Sequence, residues 1–233
     1  HNADSLRELI QSCATRDTPR LALLDALRRC ANSTPDESCI ADSAIEGLAK
    51  AEDLPWAIAT AYSSLRRREN TLPDGTVFTP PWLANEVVKR LLPGLTVVDL
   101  GAGSGMLTLA AASRGFRVIA IEEDAELAAV LDALARIMGL RGRIVLRLGN
   151  ALSYSRHTEG QIMANPPYTR HHSIPMERKR ALAKLARKFD VPLPLTTGYY
   201  GYFMVYAWST EWSKREVLLL PTNWLEAHYG QAL

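Results

Sequence analysis

The segment TVVDLGAGSGMLTLAAASRG, residues 96–115, constrains the fold more than any other part of this chain. A β-branched run (96–100) enters a turn carrying Gly101, Gly103 and Gly105, and an apolar helical stretch leaves it. A strand that hands over to a helix through a glycine turn is half of a βαβ unit, and such units build parallel sheets. The alternation then repeats. RVIAIEE (117–123) reads as a second strand, DAELAAVLDALARIMG as a second helix stopping on Gly139, and RIVLRL (143–148) as a third strand. QIMA (161–164) and REVLLLP (215–221) read as a fourth and a fifth. Strands separated by helices of this length predict an α/β protein with a doubly wound parallel sheet.

The N-terminal part has a different texture. SLRE at Ser5–Glu8 fits a capping box. TPRLALLDALRRC puts Thr18 at an N-cap and Pro19 at the first helical position, with Leu21, Leu24, Ala26 and Leu27 as an apolar stripe. LPWAIATAYSSLRRR (54–68) repeats the style, and NTLPDGT (Asn70–Thr76) is a turn-rich break. The expected division is a helical region over 1–70 and an α/β domain over 71–233.

Hydrophobic residues make up 47% of the 233 and charged ones 22%, a globular balance. No apolar run approaches the ~18 residues of a membrane span. Cys13, Cys30 and Cys39 show no CxxC spacing, which predicts inert thiols in a reducing cytoplasm and no metal site. The net charge of +2 points to no particular partner. Locally the balance shifts: between Arg170 and Asp190 seven basic residues face two acidic ones, a net +5.

In a doubly wound sheet, ligands bind beyond the carboxyl ends of the strands. Asp99 closes the first strand, and Glu122 closes the second, 21 residues after Gly101, where an acid can hold ribose hydroxyls. The glycine spacing is GxGxG, not the GxGxxG of dinucleotide sites. Taken alone, these residues predict a nucleotide site of unspecified type.

The motifs resemble a known group. DLGAGSG, with Asp99, Gly101, Ala102 and Gly103, followed by Glu122, resembles the first two motifs of S-adenosylmethionine-dependent methyltransferases. GNALS (149–153) resembles the third, with Asn150 where an acid is usual and Ala151 beside it. The Asn150 oxygen still offers an acceptor to the cofactor's adenine amine. NPPY, Asn165–Tyr168, resembles the fourth motif of amino-methyltransferases, chiefly the N6-adenine DNA enzymes, and the resemblance places Asn165 against the cofactor as well. GTVFTPPWLANEVV (75–88) resembles their Thr-Pro element, so Phe78, Thr79 and Pro80 are expected at the cofactor's methionine end. GYYGYFMVYAW and PTNWLEAHYGQAL resemble later segments. The order of motifs is that of the gamma-class enzymes of restriction–modification systems. The resemblance, over Gly75 to Leu233, implies a Rossmann-like methyltransferase sheet, S-adenosylmethionine as cofactor and double-stranded DNA as partner. It also implies further strands and a target-recognition domain beyond Leu233, so a longer protein is expected.

The chemistry explains why such a corner is stiff. An exocyclic adenine amine is a poor nucleophile, because its lone pair is delocalised into the ring. Acceptors aimed at its two N–H groups favour the tetrahedral geometry that attack requires. The resemblance assigns these roles to the Asn165 side-chain oxygen and the Pro166 carbonyl. Pro166 and Pro167 fix the backbone direction, which is preorganisation, and Tyr168 offers a stacking face. The target base leaves the duplex at a cost of a few kcal/mol, partly offset by stacking of ~1–3 kcal/mol.

Other readings share the motif. Release-factor glutamine N5-methyltransferases also join a helical N-terminal domain to Asn-Pro-Pro-Tyr, RNA amino-methylation poses the same chemical problem, and a non-catalytic nucleic-acid-binding subunit keeps the fold alone. TPPWLA, the basic segment and PTNWLEAHYG favour a DNA enzyme. Within the basic segment Arg170, Arg178, Lys179 and Arg180 are the expected phosphate contacts, on a helix that also reads as an ordinary solvated one.

Overall fold

The computed structural model describes residues 54–222 apart from positions 73, 74, 156, 157, 189 and 192, together with 23–25, 27 and 28. The capping box at Ser5–Glu8, Thr18, Pro19 and the three cysteines lie outside the described residues.

Helix α1 (Leu54–Arg68) covers LPWAIATAYSSLRRR. Ile58, Tyr62 and Leu65, spaced by four and three, are its buried stripe. Asn70 adopts a left-handed conformation at φ 57. The N–H of Asn70 then reaches Arg67 O and that of Thr71 reaches Arg66 O, which closes the helix in a Schellman arrangement. Helix α2 (Pro81–Val88) starts with a proline in its first turn, where no N–H is missed.

The βα alternation follows: β1 (Val97–Leu100), α3 (Met106–Ser113), β2 (Val118–Glu122), α4 (Ala125–Ile137), β3 (Ile144–Leu148) and β4 (Gly160–Ala164). Two consecutive helices, α5 (Met176–Arg187) and α6 (Tyr199–Trp208), precede β5 (Ser213–Leu218). All strand pairs are parallel, in the order β3-β2-β1-β4-β5. The expected α/β doubly wound sheet is therefore present. Strand β5 lies slightly earlier than the 215–221 expected, because its ladder with β4 runs from Ser213 to Leu218. The turn before it lacks glycine; the Thr210 hydroxyl donates to Tyr206 O at 2.5 Å and the Ser213 N–H to Thr210 O at 3.2 Å.

Alternate residues of each strand feed two cores. Val97, Val118 and Met163 pack with α1, α2, α3 and α4 on one face. Val98, Leu100, Ile121, Ile162 and Ala164 pack with α5 and α6 on the other. The chain reverses direction across the sheet between β1 and β4, so a crevice opens there at the strands' carboxyl ends. Asp99 pairs with Met163 in register, which sets the Gly101 turn level with Asn165. No described helix is long and apolar enough to cross a membrane.

Candidate active site

A cavity of about 450 Å³ occupies this crevice. Its walls come from the Thr-Pro segment, the β1–α3 turn, the loops after β2, β3 and β4, and the start of α6.

The β1–α3 turn forms the floor. Gly105, at φ 96, caps α3, and a Cβ there would lie 2.2 Å from Leu131 Cδ1, so only glycine fits. Asp99 is 1% exposed. Its Oδ2 accepts from Thr108 Oγ1 at 2.6 Å, while Oδ1 is buried without a partner among the described residues. Burial pushes its pKa up to about 7, against the Thr108 hydrogen bond and with some help from the Glu122 charge.

Glu122 is pinned by backbone amides. Oε2 accepts from the Gly103 N–H at 2.7 Å and Oε1 from the Asp124 N–H at 2.8 Å. Burial raises its pKa and the two amides oppose the rise. Each carboxylate oxygen keeps a lone pair for a ligand hydroxyl. Asp124 caps α4 through the N–H groups of Glu126 and Leu127, at 2.9 and 3.1 Å. Its other oxygen holds Arg66 of α1 at 2.5 Å. Asn150 is exposed at the rim, and its Oδ1 caps the turn after β3 by accepting from the Leu152 N–H at 2.9 Å. The acceptor expected there for an adenine amine is thus already half engaged.

The corner after β4 is stitched to the Thr-Pro segment. Asn165 Nδ2 donates to Val77 O at 3.1 Å and to Thr79 Oγ1 at 2.9 Å. The Tyr168 N–H donates to Gly75 O at 2.9 Å. Gly75 has φ 81, and a Cβ on it would sit 2.2 Å from Thr169 N, so the two segments touch backbone to backbone. With both donors committed, Asn165 Oδ1 is left buried without a partner among the described residues.

Phe78, Thr79, Asp99, Gly101, Ala102, Gly103, Glu122, Asn150, Ala151, Asn165 and Pro167 all line the cavity. Pro80, Pro166 and Tyr168 do not. Pro80 is the N-cap of α2. Tyr168 is half-buried, its hydroxyl donating to Leu219 O at 3.3 Å and its ring edge-on to Tyr200 at 6.3 Å. Glu123, Asp124, Tyr199 and Phe203 also line the cavity, and the sequence did not single them out as site residues. The two aromatics read as helix core, because their stretch is apolar all round. Thr108 escaped notice for the same reason, lying inside an apolar helix.

The basic segment departs from expectation. Lys179 is buried at 8% exposure and faces the core side of α5, so it is not a surface phosphate contact. Arg178 turns back on the protein: its Nη2 donates to both Glu123 oxygens at 2.7 and 3.0 Å and to the Tyr199 hydroxyl. Arg170 and Arg180 are exposed, as are Lys184, Arg187 and Lys188.

A family model described as "Conserved hypothetical protein 95" matches residues 76–188, from the Thr-Pro segment to α5. No curated protein matches the sequence. Among solved structures, the chain superposes on a Listeria monocytogenes protein assigned as a class I S-adenosylmethionine-dependent methyltransferase. That match has a TM-score of 0.69 at 9% identity and covers 99% of this chain and 76% of that one. The chain has the Rossmann-like fold of these methyltransferases. It also resembles the methyltransferase subunit of a type I restriction–modification system from Streptococcus thermophilus, with a TM-score of 0.57 and 13% identity over 93% of this chain. The modification subunit of a type I restriction enzyme assigned in Vibrio vulnificus YJ016 matches with a TM-score of 0.50 and 12% identity over 85% of this chain. The chain spans 58% and 51% of those two subunits. At such identities the likeness concerns the fold.

Proposed function

We propose that this chain binds S-adenosylmethionine in the cavity and methylates the N6 amino group of adenine in DNA, within a restriction–modification system. The observation that carries the reading is Asn165, a residue of the cavity lining: its amide nitrogen is committed to Val77 and Thr79, and its oxygen is buried without a partner among the described residues. A buried acceptor without a partner costs ~1–3 kcal/mol, a cost relieved when a ligand N–H arrives.

The cavity suits the cofactor chemically. Asp99, Glu122, Glu123 and Asp124 line it and, among the described residues, no Lys or Arg does. Such a wall offers acceptors to ligand hydroxyls and amines, with Glu123 and Asp124 already balanced by Arg178 and Arg66. Asp99 Oδ1 is a second unsatisfied acceptor in it. Glu122 would hold the ribose, the Gly101–Gly103 turn would pass beneath, and Phe78 with Thr79 would face the methionine end. When bound, S-adenosylmethionine supplies an electrophilic methyl on a sulfonium.

The chain's own contribution is to position the amine. Asn165 Oδ1 accepts from one N–H, and the motif assigns the other to the carbonyl of Pro166, a buried residue outside the cavity lining whose direction two prolines fix. Neither acceptor reorganises as the nitrogen becomes tetrahedral. Holding donor and acceptor in line is worth up to ~7–11 kcal/mol. The exposed cations of α5 suit a polyanionic substrate better than a protein loop. Incubation with labelled cofactor and, separately, duplex DNA, structured RNA and a release factor tests the proposal. Label in N6-methyladenine of DNA is expected; label only in RNA or in a glutamine side chain would reassign the substrate.

A further inference from the structure

Arg178 lies in the first turn of α5, after the Asn165–Tyr168 corner, and the residues it grips belong to the cavity. Glu123 and Tyr199 both line that cavity, the first from the β2–α4 loop and the second from the start of α6. Arg178 pairs with both oxygens of Glu123, donates to the Tyr199 hydroxyl and sits with its guanidinium carbon 4.9 Å from the centre of the Tyr199 ring. Tyr199 in turn stands edge-on to Phe203 at 5.5 Å, so the two rings form one wall.

The charges explain why a cation is needed there. Glu122, Glu123 and Asp124 are consecutive acids. Glu122 is held by two backbone amides and Asp124 by Arg66 and its cap. Glu123 is held by Arg178. Removing that guanidinium leaves Glu123 beside two other carboxylates, which drives it outward, and frees the Tyr199 ring from its tether.

We propose that Arg178 is a positioning residue for the cofactor cavity: it fixes Glu123 and Tyr199 and thereby sets the cavity's affinity for S-adenosylmethionine. The proposal rests on the assignment of the cavity to that cofactor. It replaces the role in phosphate contact expected from the sequence, since a guanidinium neutralised by a carboxylate offers little to a phosphate. It also joins the acceptor side of the protein to the cofactor side, because α5 is the first α-helix after the Asn165 corner.

Titration calorimetry with S-adenosylmethionine and with S-adenosylhomocysteine tests it, on the wild type, Arg178→Ala, Glu123→Gln and the double variant. Weakening of three- to ten-fold is expected for each single change, with the double variant no weaker than Arg178→Ala, because the two residues act through one contact; fully additive losses would overturn that coupling. Glu123→Gln keeps the side chain's size, so it reports even where Arg178→Ala folds poorly. A wild type that binds both ligands beside single variants that bind equally well would overturn the positioning role alone. Unchanged cofactor affinity in Arg178→Ala, with a DNA-binding salt slope reduced by about one, would return Arg178 to phosphate contact. A wild type that binds neither ligand would overturn the cavity assignment itself, and the proposal with it.

Discussion

Thr79 Oγ1 accepts a hydrogen bond from Asn165 Nδ2 at 2.9 Å, across 86 residues of sequence, beside the Val77 carbonyl, which can only accept and so decides which way the Asn165 amide faces. With the Val77 carbonyl as the second acceptor, the nitrogen has two partners and the oxygen none among the described residues. The Thr-Pro segment is thus both a wall of the cavity proposed for the cofactor and the orienting element for the proposed acceptor of the substrate N–H.

Asn165→Ala should leave cofactor affinity within a few-fold and abolish methyl transfer, because the Asn165 oxygen serves the amine rather than the cofactor. Thr79→Val should lower the rate more mildly: it removes one of the two orienting bonds, a net ~0.5–1.5 kcal/mol. Single-turnover kinetics beside calorimetry separates the two effects. An Asn165→Ala enzyme that keeps most of its rate would refute the assigned chemistry.

Glu122→Ala should weaken S-adenosylmethionine binding by roughly 1.5–3 kcal/mol, the worth of hydrogen bonds to a charged group. The same change releases the amides of Gly103 and Asp124, so the turn beneath the cofactor loosens as well. Calorimetry that finds unchanged affinity would show that the end of β2 does not carry the ribose site.

Asp99 makes stability fall with rising pH. Its folded pKa, raised to about 7 by burial, lies above the ordinary 3.8 of the unfolded chain. Between these values the folded state binds the extra proton, so the contribution is full below pH ~4 and is lost as pH rises through ~7. Urea unfolding at pH 5 and pH 8 should show a smaller loss of stability across that interval for Asp99→Asn than for the wild type. Equal losses would mean that Asp99 titrates normally in the fold.

Much of this was legible in the sequence, and the reason is local. Each strand is a short apolar run closed by a glycine, an acid or a proline, so β1 to β4 and the residues at their ends could be placed from order alone. Asn165, Asp99 and Glu122 stand where the strands end, and a strand's end is where a doubly wound sheet keeps its ligands. What could not be read was long-range orientation. Nothing in MERKRALAKLARKF says that Lys179 points inward while Arg178 reaches back to Glu123, since that depends on how α5 lies against α6. The coupling of Arg66 to Asp124 spans 58 residues and leaves no local signature.

Arg66→Leu should destabilise the fold by ~3–5 kcal/mol, the usual cost of stranding one partner of a buried ion pair. The side chains of Arg66 and Asp124 are only 9% and 19% exposed. Arg66 also donates to Thr71 O at 2.7 Å and so braces the end of α1. Changing both residues, to Leu and Asn, should recover part of the stability. Chemical denaturation of the four proteins in a double-mutant cycle measures the coupling, and additive effects would show that α1 is not tied to the β2–α4 loop through this pair.

The exposed face of α5 should carry DNA affinity without sequence preference. Arg180, Lys184 and Arg187 lie within two turns and are exposed, whereas Lys179 is buried and Arg178 is paired. Phosphate contacts of this kind fix register and supply affinity, while base-edge contacts supply selectivity. Replacing the three by Gln should therefore weaken binding to all duplex sequences about equally. It should also reduce the slope of log affinity against log salt by about 0.9 for each phosphate no longer neutralised. Arg178→Gln, by contrast, should leave that slope unchanged. If the triple replacement weakens binding to one short sequence and spares the rest, α5 reads bases, and the assignment of its cations to the phosphate backbone fails.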